Sequence, residues 1–167
     1  VKHWAGFPSE AIRYCLKEAK VGLGDVDHFA INRDPKANLL KKVSFSITKR
    51  PDLKFVRDRI RNAKAVASIE DELDRAFPAS NLRAKVHNIE HHRAHLASAF
   101  FVSPFDEAVA VSVDGFGDFA SAAWGVGKQN NVEVEDKVYF PHSLGIFYQA
   151  LTQFIGFPHY GDEYKVM

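Results

Sequence analysis

The sequence predicts a mixed α and β domain in which one antiparallel meander packs against helices. Three observations predict it. Apolar stripes at helical spacing recur near both ends of the chain. Between them lie three strand-like runs, at 108–113, 119–126 and 132–140, separated by only a few residues each. Such short separations mean hairpins and not crossovers. Finally, the 167 residues are 46% hydrophobic, enough for a core but too few for two ordinary domains. A single domain over 1–167 is therefore expected.

Residues 8–20 read as the first helix, with Ser9 as its N-cap. Ala11, Ile12, Cys15, Leu16 and Ala19 share one stripe. Cys15 on that stripe reads as a buried packing residue, because no activating neighbour is visible. Residues 26–31 form a short strand candidate. From Lys41 to Lys64 the chain is basic, with nine Lys or Arg against Asp52 and Asp58. Residues 51–76 read as a long amphipathic helix with Pro51 in its first turn and Val56, Ile60, Ala63, Ile69 and Leu73 on one face. Its charge reads as a solvated face. An RNA-binding patch is the alternative, weakened because only Phe55 interleaves with the basic residues.

Beyond Pro78, residues 82–86 resemble a strand and 91–101 a helix with small packing residues. The nearly unbroken apolar run 108–113 reads as a strand buried on both faces. Two further strands complete the meander. Ser143 caps a last helix through about Ile155, carrying Leu144, Phe147, Leu151 and Phe154.

Charge and composition exclude several classes. Lys plus Arg is 22, Asp plus Glu 21, and the formal charge is +1. That gives no global reason to bind nucleic acid or an anionic membrane. One cysteine excludes an internal disulfide framework and a Cys-rich zinc site, and suits a reducing cytoplasm. No apolar run approaches the roughly 20 residues of a membrane span. Lys2, His3 and Glu10 interrupt any signal-peptide pattern. The chain starts without Met and ends at Met167 without a tail; a piece of a longer protein is expected.

The strongest chemical constellation is His91-His92-Arg93-Ala94-His95. Helical residues i and i+4 lie about 40° apart around the axis, so His91 and His95 point the same way. Two imidazoles one turn apart make a half-site for a divalent metal. His92 with His95 is a poorer pairing. A carboxylate must complete the set, and Asp114, at the end of an apolar strand, is the candidate. Its charge would be costly facing core unless paired. Two histidines and a carboxylate suit Fe(II) or Zn(II). Surface or capping histidines remain the alternative. The stretch Asp114-Gly115-Phe116-Gly117-Asp118 reads on its own as a hairpin turn. Its glycines would also permit positive φ and close approach of a phosphate. His142 reads as a residue flanking a helix start, and Gly161 to Lys165 as a solvated loop.

Read together, these pieces carry a resemblance. The string HHRAHLASAFFVSPFDEAVAVSVDGFGDFAS at 91–121 resembles the N-terminal domain of the O-carbamoyltransferases, which include nodulation-factor and antibiotic carbamoyltransferases. FPHSLGIFYQALTQFIGF at 140–157, GDEYKVM at 161–167 and the opening KHWAGFPSEAIRYCLKEA at 2–19 are similar to further family segments in the same order. The basic stretch around 35–80 matches least.

The resemblance implies one incomplete lobe of an actin-like ATPase (ribonuclease H-like) fold, related to the tRNA threonylcarbamoyl-transfer protein. It implies an enzyme that makes carbamoyl-adenylate from ATP and carbamoyl phosphate in a separate domain, then passes the carbamoyl group to a hydroxyl of a small-molecule or sugar acceptor. It implies a metal, typically iron, on His91, His95 and Asp114, with a further aspartate elsewhere. It places Gly115, Gly117 and Asp118 near the nucleotide, and Glu163 and Lys165 in a segment near the same pocket. The expected partners are the remaining domains of the same polypeptide and, through an open sheet edge, a second copy. No membrane or nucleic-acid partner is expected. Two alternatives stay open: a tRNA-modifying threonylcarbamoyl transferase, and a non-catalytic metal- or nucleotide-binding module.

Overall fold

The computed structural model describes residues 6–49, 69–78 and 84–167. They fall into two compact units, one drawn from 1–31 and 51–87, the other from 32–50 and 88–167. The mixed α and β class holds in both.

The first unit contains α1 (Ser9–Ala19), a 3-10 turn at Leu23–Asp25, β1 (His28–Ile31), α3 (Ile69–Ala76) and most of β2 (Lys85–Asn88), which pairs with β1. Among the described residues, Leu23 and Leu73 are its buried apolar ones. Two expectations for α1 are corrected. Ser9 is the first helical residue; Pro8 holds the cap position, with no side-chain capping bond. Cys15 is exposed, as are Ala11 and Ala19, and no residue of α1 is buried. Helical spacing puts residues on one face, but does not supply a neighbour to cover it. The helix stops at Lys20, whose φ of 57° places it in the left-handed region while its N–H bonds back to Leu16 and Lys17 carbonyls. Of the long helix expected over 51–76, residues 51–68 lie outside the described residues, and α3 is what is seen. Leu82 and Arg83 also lie outside them, and β2 begins three residues after the expected strand start.

The second unit contains α2 (Leu39–Lys49), α4 (His91–Phe100), β3 (Glu107–Gly117), β4 (Ala120–Lys128), β5 (Asn131–Tyr139), α5 (Leu144–Phe154) and a 3-10 turn at Asp162–Lys165. The three strands form the expected antiparallel meander in the order β3-β4-β5. Helix α4 lies on it. Its i, i+4, i+8 stripe of His92, Leu96 and Phe100 is buried. Leu96 and Phe100 join Ala110, Ala123 and Val132 in the core, each large side chain contributing about 1.5–3 kcal/mol by leaving water. Gly127 makes room: a Cβ there would stand 2.3 Å from the Phe100 ring. Helix α2 was not anticipated. Its Ser46 and Thr48 hydroxyls bond back to carbonyls four residues earlier, and such polar positions dilute the apolar pattern. Phe45 anchors it edge-on against Phe119 and Phe140.

Strand β3 corrects another expectation. Its burial alternates: Ala110 and Ser112 are buried, whereas Val109, Val111 and Val113 are 70%, 64% and 56% exposed. The run is covered on one face only. Among the described residues no helix is long and apolar enough to cross a membrane.

Candidate metal centre

Helix α4 starts where two carboxylates meet its free N–H groups. Glu90 occupies the N-cap and accepts from His92 N–H and Arg93 N–H, at 3.3 and 2.9 Å. Lys137 of β5 pairs with the same carboxylate at 3.0 Å, both side chains largely covered. Burial pushes Glu90 up, but Lys137 and the backbone N–H donors outweigh it and hold its pKa below the ordinary value. The second carboxylate is Asp118. Its Oδ2 accepts from His91 N–H at 2.9 Å and Asp34 N–H at 2.8 Å, and its carbonyl accepts from Asn38 Nδ2 at 2.8 Å. Negative charge at a helix N-terminus also suits the helix dipole.

The helix thereby fixes its histidines. His91 and His95 project together, Nε2 to Nε2 3.1 Å. His92 turns the other way, fully buried, with Nδ1 2.9 Å from Ser112 Oγ. Burial lowers its pKa, outweighing a backbone contact at Ala120 and the nearby Glu90 and Asp114 carboxylates. The pairing of His92 with His95 is thus set aside.

Asp114 comes from β3, where the register slips. Residues 114–116 stand opposite Ser121 alone, between the pairs Val113↔Ala122 and Gly117↔Ala120. That irregularity re-aims the strand end. Ser143, the N-cap of α5, pins it. Its Oγ accepts from Ile146 N–H and donates to the Gly115 carbonyl at 2.8 Å, with the Asp114 carbonyl at 3.1 Å. Asp114 Oδ2 then lies 2.7 Å from His91 Nε2 and 3.6 Å from His95 Nε2. Burial pushes the Asp114 carboxyl up. The bonds from His91 and Gly115, with the charge of both histidines, outweigh burial and hold its pKa below the ordinary value.

The three atoms fit one ion. Two donors about 2.1 Å from a metal, at angles of 90–109°, lie roughly 3.0–3.4 Å apart. The observed spacings of 2.7, 3.1 and 3.6 Å bracket that range. Among the described residues this is the one cluster of three or more ligating side chains. Its Asp114 and His95 side chains remain 41% and 45% exposed, so further ligands can reach it. Two imidazoles and one carboxylate suit a borderline divalent ion such as Fe(II) or Zn(II).

The positive φ expected of the glycines falls elsewhere. Asp118 and Phe119 form the β3–β4 turn with φ of 50° and 75°, while Gly115 and Gly117 are not in that region. Gly117 has a different use: a Cβ there would stand 2.0 Å from His91 Cδ2. The remaining candidates make internal bonds. Gly115 N–H donates to Asp114 Oδ1 at 2.6 Å. Lys165 pairs with Asp162 at 2.7 Å, and the Glu163 carbonyl accepts from Tyr148. His142 is exposed, and its carbonyl accepts from Ser121. Sequence reasoning missed the roles of Glu90, Lys137 and Ser143 as supports. The capping position of Glu90, just before the HxxxH run, was the available signal.

Such an arrangement defines a class: a mixed α and β protein with a two-histidine, one-carboxylate site at the rim of a meander. A family model described as carbamoyltransferase N-terminus matches residues 1–167, and the chain belongs to that family. An uncharacterized protein of Synechocystis sp. is 34% identical over 180 residues, covering 99% of this chain and 28% of that protein. Nodulation protein NolNO of Sinorhizobium fredii is 32% identical over 174 residues, covering 100% of this chain and 23% of that protein. Nodulation protein NolO of Bradyrhizobium diazoefficiens is 38% identical over 81 residues, 47% of this chain and 14% of that protein. The chain thus spans about a quarter of the length of the first two relatives.

Proposed function

We propose that the protein is part of an O-carbamoyltransferase acting on a hydroxyl of a small-molecule or sugar acceptor. The observation that carries this reading is the convergence of His91 Nε2, His95 Nε2 and Asp114 Oδ2 on one ion-sized space, in a chain of the carbamoyltransferase N-terminus family. The donor is carbamoyl-adenylate, made from ATP and carbamoyl phosphate elsewhere in the same polypeptide. The acceptor oxygen bonds to the carbamoyl carbon, the carbon–oxygen bond to AMP breaks, and the hydroxyl proton leaves to a base to which no residue is assigned.

Within this reading His91 and His95 offer neutral imidazole nitrogens, and Asp114 offers the balancing charge. A divalent ion held there, iron by family resemblance, would supply Lewis-acid polarisation and orientation of the transferring group. Gly115 and Gly117 belong beside the nucleotide phosphates in the same resemblance, and Glu163 and Lys165 near them. For Asp118 the bonds to His91 N–H and Asp34 N–H favour holding the helix and the 34–38 segment over touching a ligand. The β3–β5 meander followed by a helix is compatible with a lobe of an actin-like fold. A reducing cytoplasm suits the single cysteine. Among the described residues β3 is an edge strand, which suits pairing with another part of the polypeptide or a second copy.

The test uses the complete polypeptide with carbamoyl phosphate, ATP and an aminoglycoside-like or sugar acceptor, followed by mass. Carbamoylated product is expected, lost in His95→Ala. Turnover unchanged by His95→Ala would contradict the reading, and the 167-residue chain by itself is expected to show none.

A further inference from the structure

We infer that His28 and His87 form a second metal-binding site, one for a borderline divalent transition-metal ion and separate from His91, His95 and Asp114. The two residues lie on paired strands: His28 opens β1 and His87 is the third residue of β2. Strand pairing brings same-face side chains of neighbouring strands into reach of one another. Here it leaves His28 Nδ1 and His87 Nε2 2.9 Å apart, with ring centroids 5.0 Å apart and planes tilted by 56°.

The spacing sets the geometry. Two nitrogens 2.9 Å apart, each about 2.05 Å from one ion, subtend roughly 90° at it. That is the angle between neighbouring positions of an octahedral or square-planar ion. No third histidine, cysteine or carboxylate joins the pair among the described residues, and the other positions are open to water. Ligation by imidazole alone selects Co(II), Ni(II), Cu(II) or Zn(II) over Mg(II) and Ca(II), which require oxygen donors. Solvent reaches the site, because His28 is exposed. A hydrogen bond between the two rings is the competing account. It needs one ring N–H and one lone pair, and an exposed bond of that kind contributes little.

The test is Co(II) titration of chelator-stripped protein, read by paramagnetic shifts of assigned histidine ring protons. The rings of His28 and His87 should shift together along one saturable isotherm of one ion per pair, after the first equivalent has gone to His91, His95 and Asp114 in the parent and without that lag in His91→Ala/His95→Ala. His28→Asn should remove the saturable shift of His87, while His87→Gln removes that of His28. Mg(II) at the same concentration should shift neither. The inference is overturned if neither ring responds, if only one responds, or if His87 saturates unchanged in His28→Asn. Because the response is read residue by residue, failure at His28 and His87 says nothing against the centre at His91, His95 and Asp114.

Discussion

Replacing Gly117 by alanine adds one methyl group where the structure has no room for it. The new Cβ would stand 2.0, 2.1 and 2.5 Å from Cδ2, Cγ and Nε2 of His91. Ordinary carbon–carbon contact is about 3.5–4.0 Å, so ring and strand must separate by roughly 1.5 Å. His91 Nε2 sits only 2.7 Å from Asp114 Oδ2, and ligand distances in a metal site tolerate about 0.2 Å. The ring therefore leaves the site. Gly117→Ala should cost about 1–3 kcal/mol of stability by overpacking and lower metal affinity by at least 100-fold, as if His91 were absent. Gly115→Ala is the internal control. Its Cβ would meet Ile146 Cδ1 at 3.6 Å, ordinary contact, so its effect should stay within about 0.5 kcal/mol. Metal content after purification without chelator, Zn(II) or Fe(II) affinity by calorimetry, and urea midpoints read all of these. Gly117→Ala that binds metal as tightly as Gly115→Ala would refute the argument.

Further expectations can be measured on the same preparations. Asp118→Ala strips the acceptor from His91 N–H and Asp34 N–H and should destabilise by about 1–3 kcal/mol per orphaned group in urea titration. Asp118→Asn keeps an acceptor oxygen and tolerates positive φ, so it should lose much less. Glu90→Ala removes a helix cap and leaves Lys137 without its carboxylate, and a loss of about 3–5 kcal/mol is expected. Replacing both Glu90 and Lys137 by apolar residues should recover part of it. The Lys165 bond holds the Asp162 pKa below the ordinary value. Its stabilisation is therefore present above the unfolded carboxyl pKa and is lost as pH falls through the lower folded value. Unfolding midpoints should drop more steeply on acidification in the parent than in Asp162→Asn.

The elements easiest to read were those whose signal is local. The α4 and α5 helices, the Ser143 cap and the β4–β5 turn lie within a residue or two of expectation, because spacing and capping chemistry act over one turn. The β3–β4 turn, expected over 114–118, is instead Asp118 and Phe119, with β3 running on to Gly117. The proximity of His91 to His95 was legible for the same reason. What failed was coverage. Cys15 and the valines of β3 have the right spacing for burial and are exposed, since a periodic pattern names a face but not its neighbour. The site's supports were hidden because they join distant residues: Asp118 to Asp34, Glu90 to Lys137, Ser143 to Gly115. Gly117 was singled out for backbone freedom, whereas its use is the space taken by a ring 26 positions away in sequence.

The most direct measurement of the central claim is X-ray absorption at the metal edge of the complete polypeptide purified without chelator, compared with His91→Ala, His95→Ala and Asp114→Asn. The expected parent spectrum has two imidazole nitrogens at about 2.0–2.1 Å among its ligands. The expected change in each histidine variant is loss of one imidazole shell or of the metal, and in Asp114→Asn a sharp fall in occupancy. A parent that carries metal with no imidazole scattering, or variants that keep the parent spectrum at full occupancy, would contradict it.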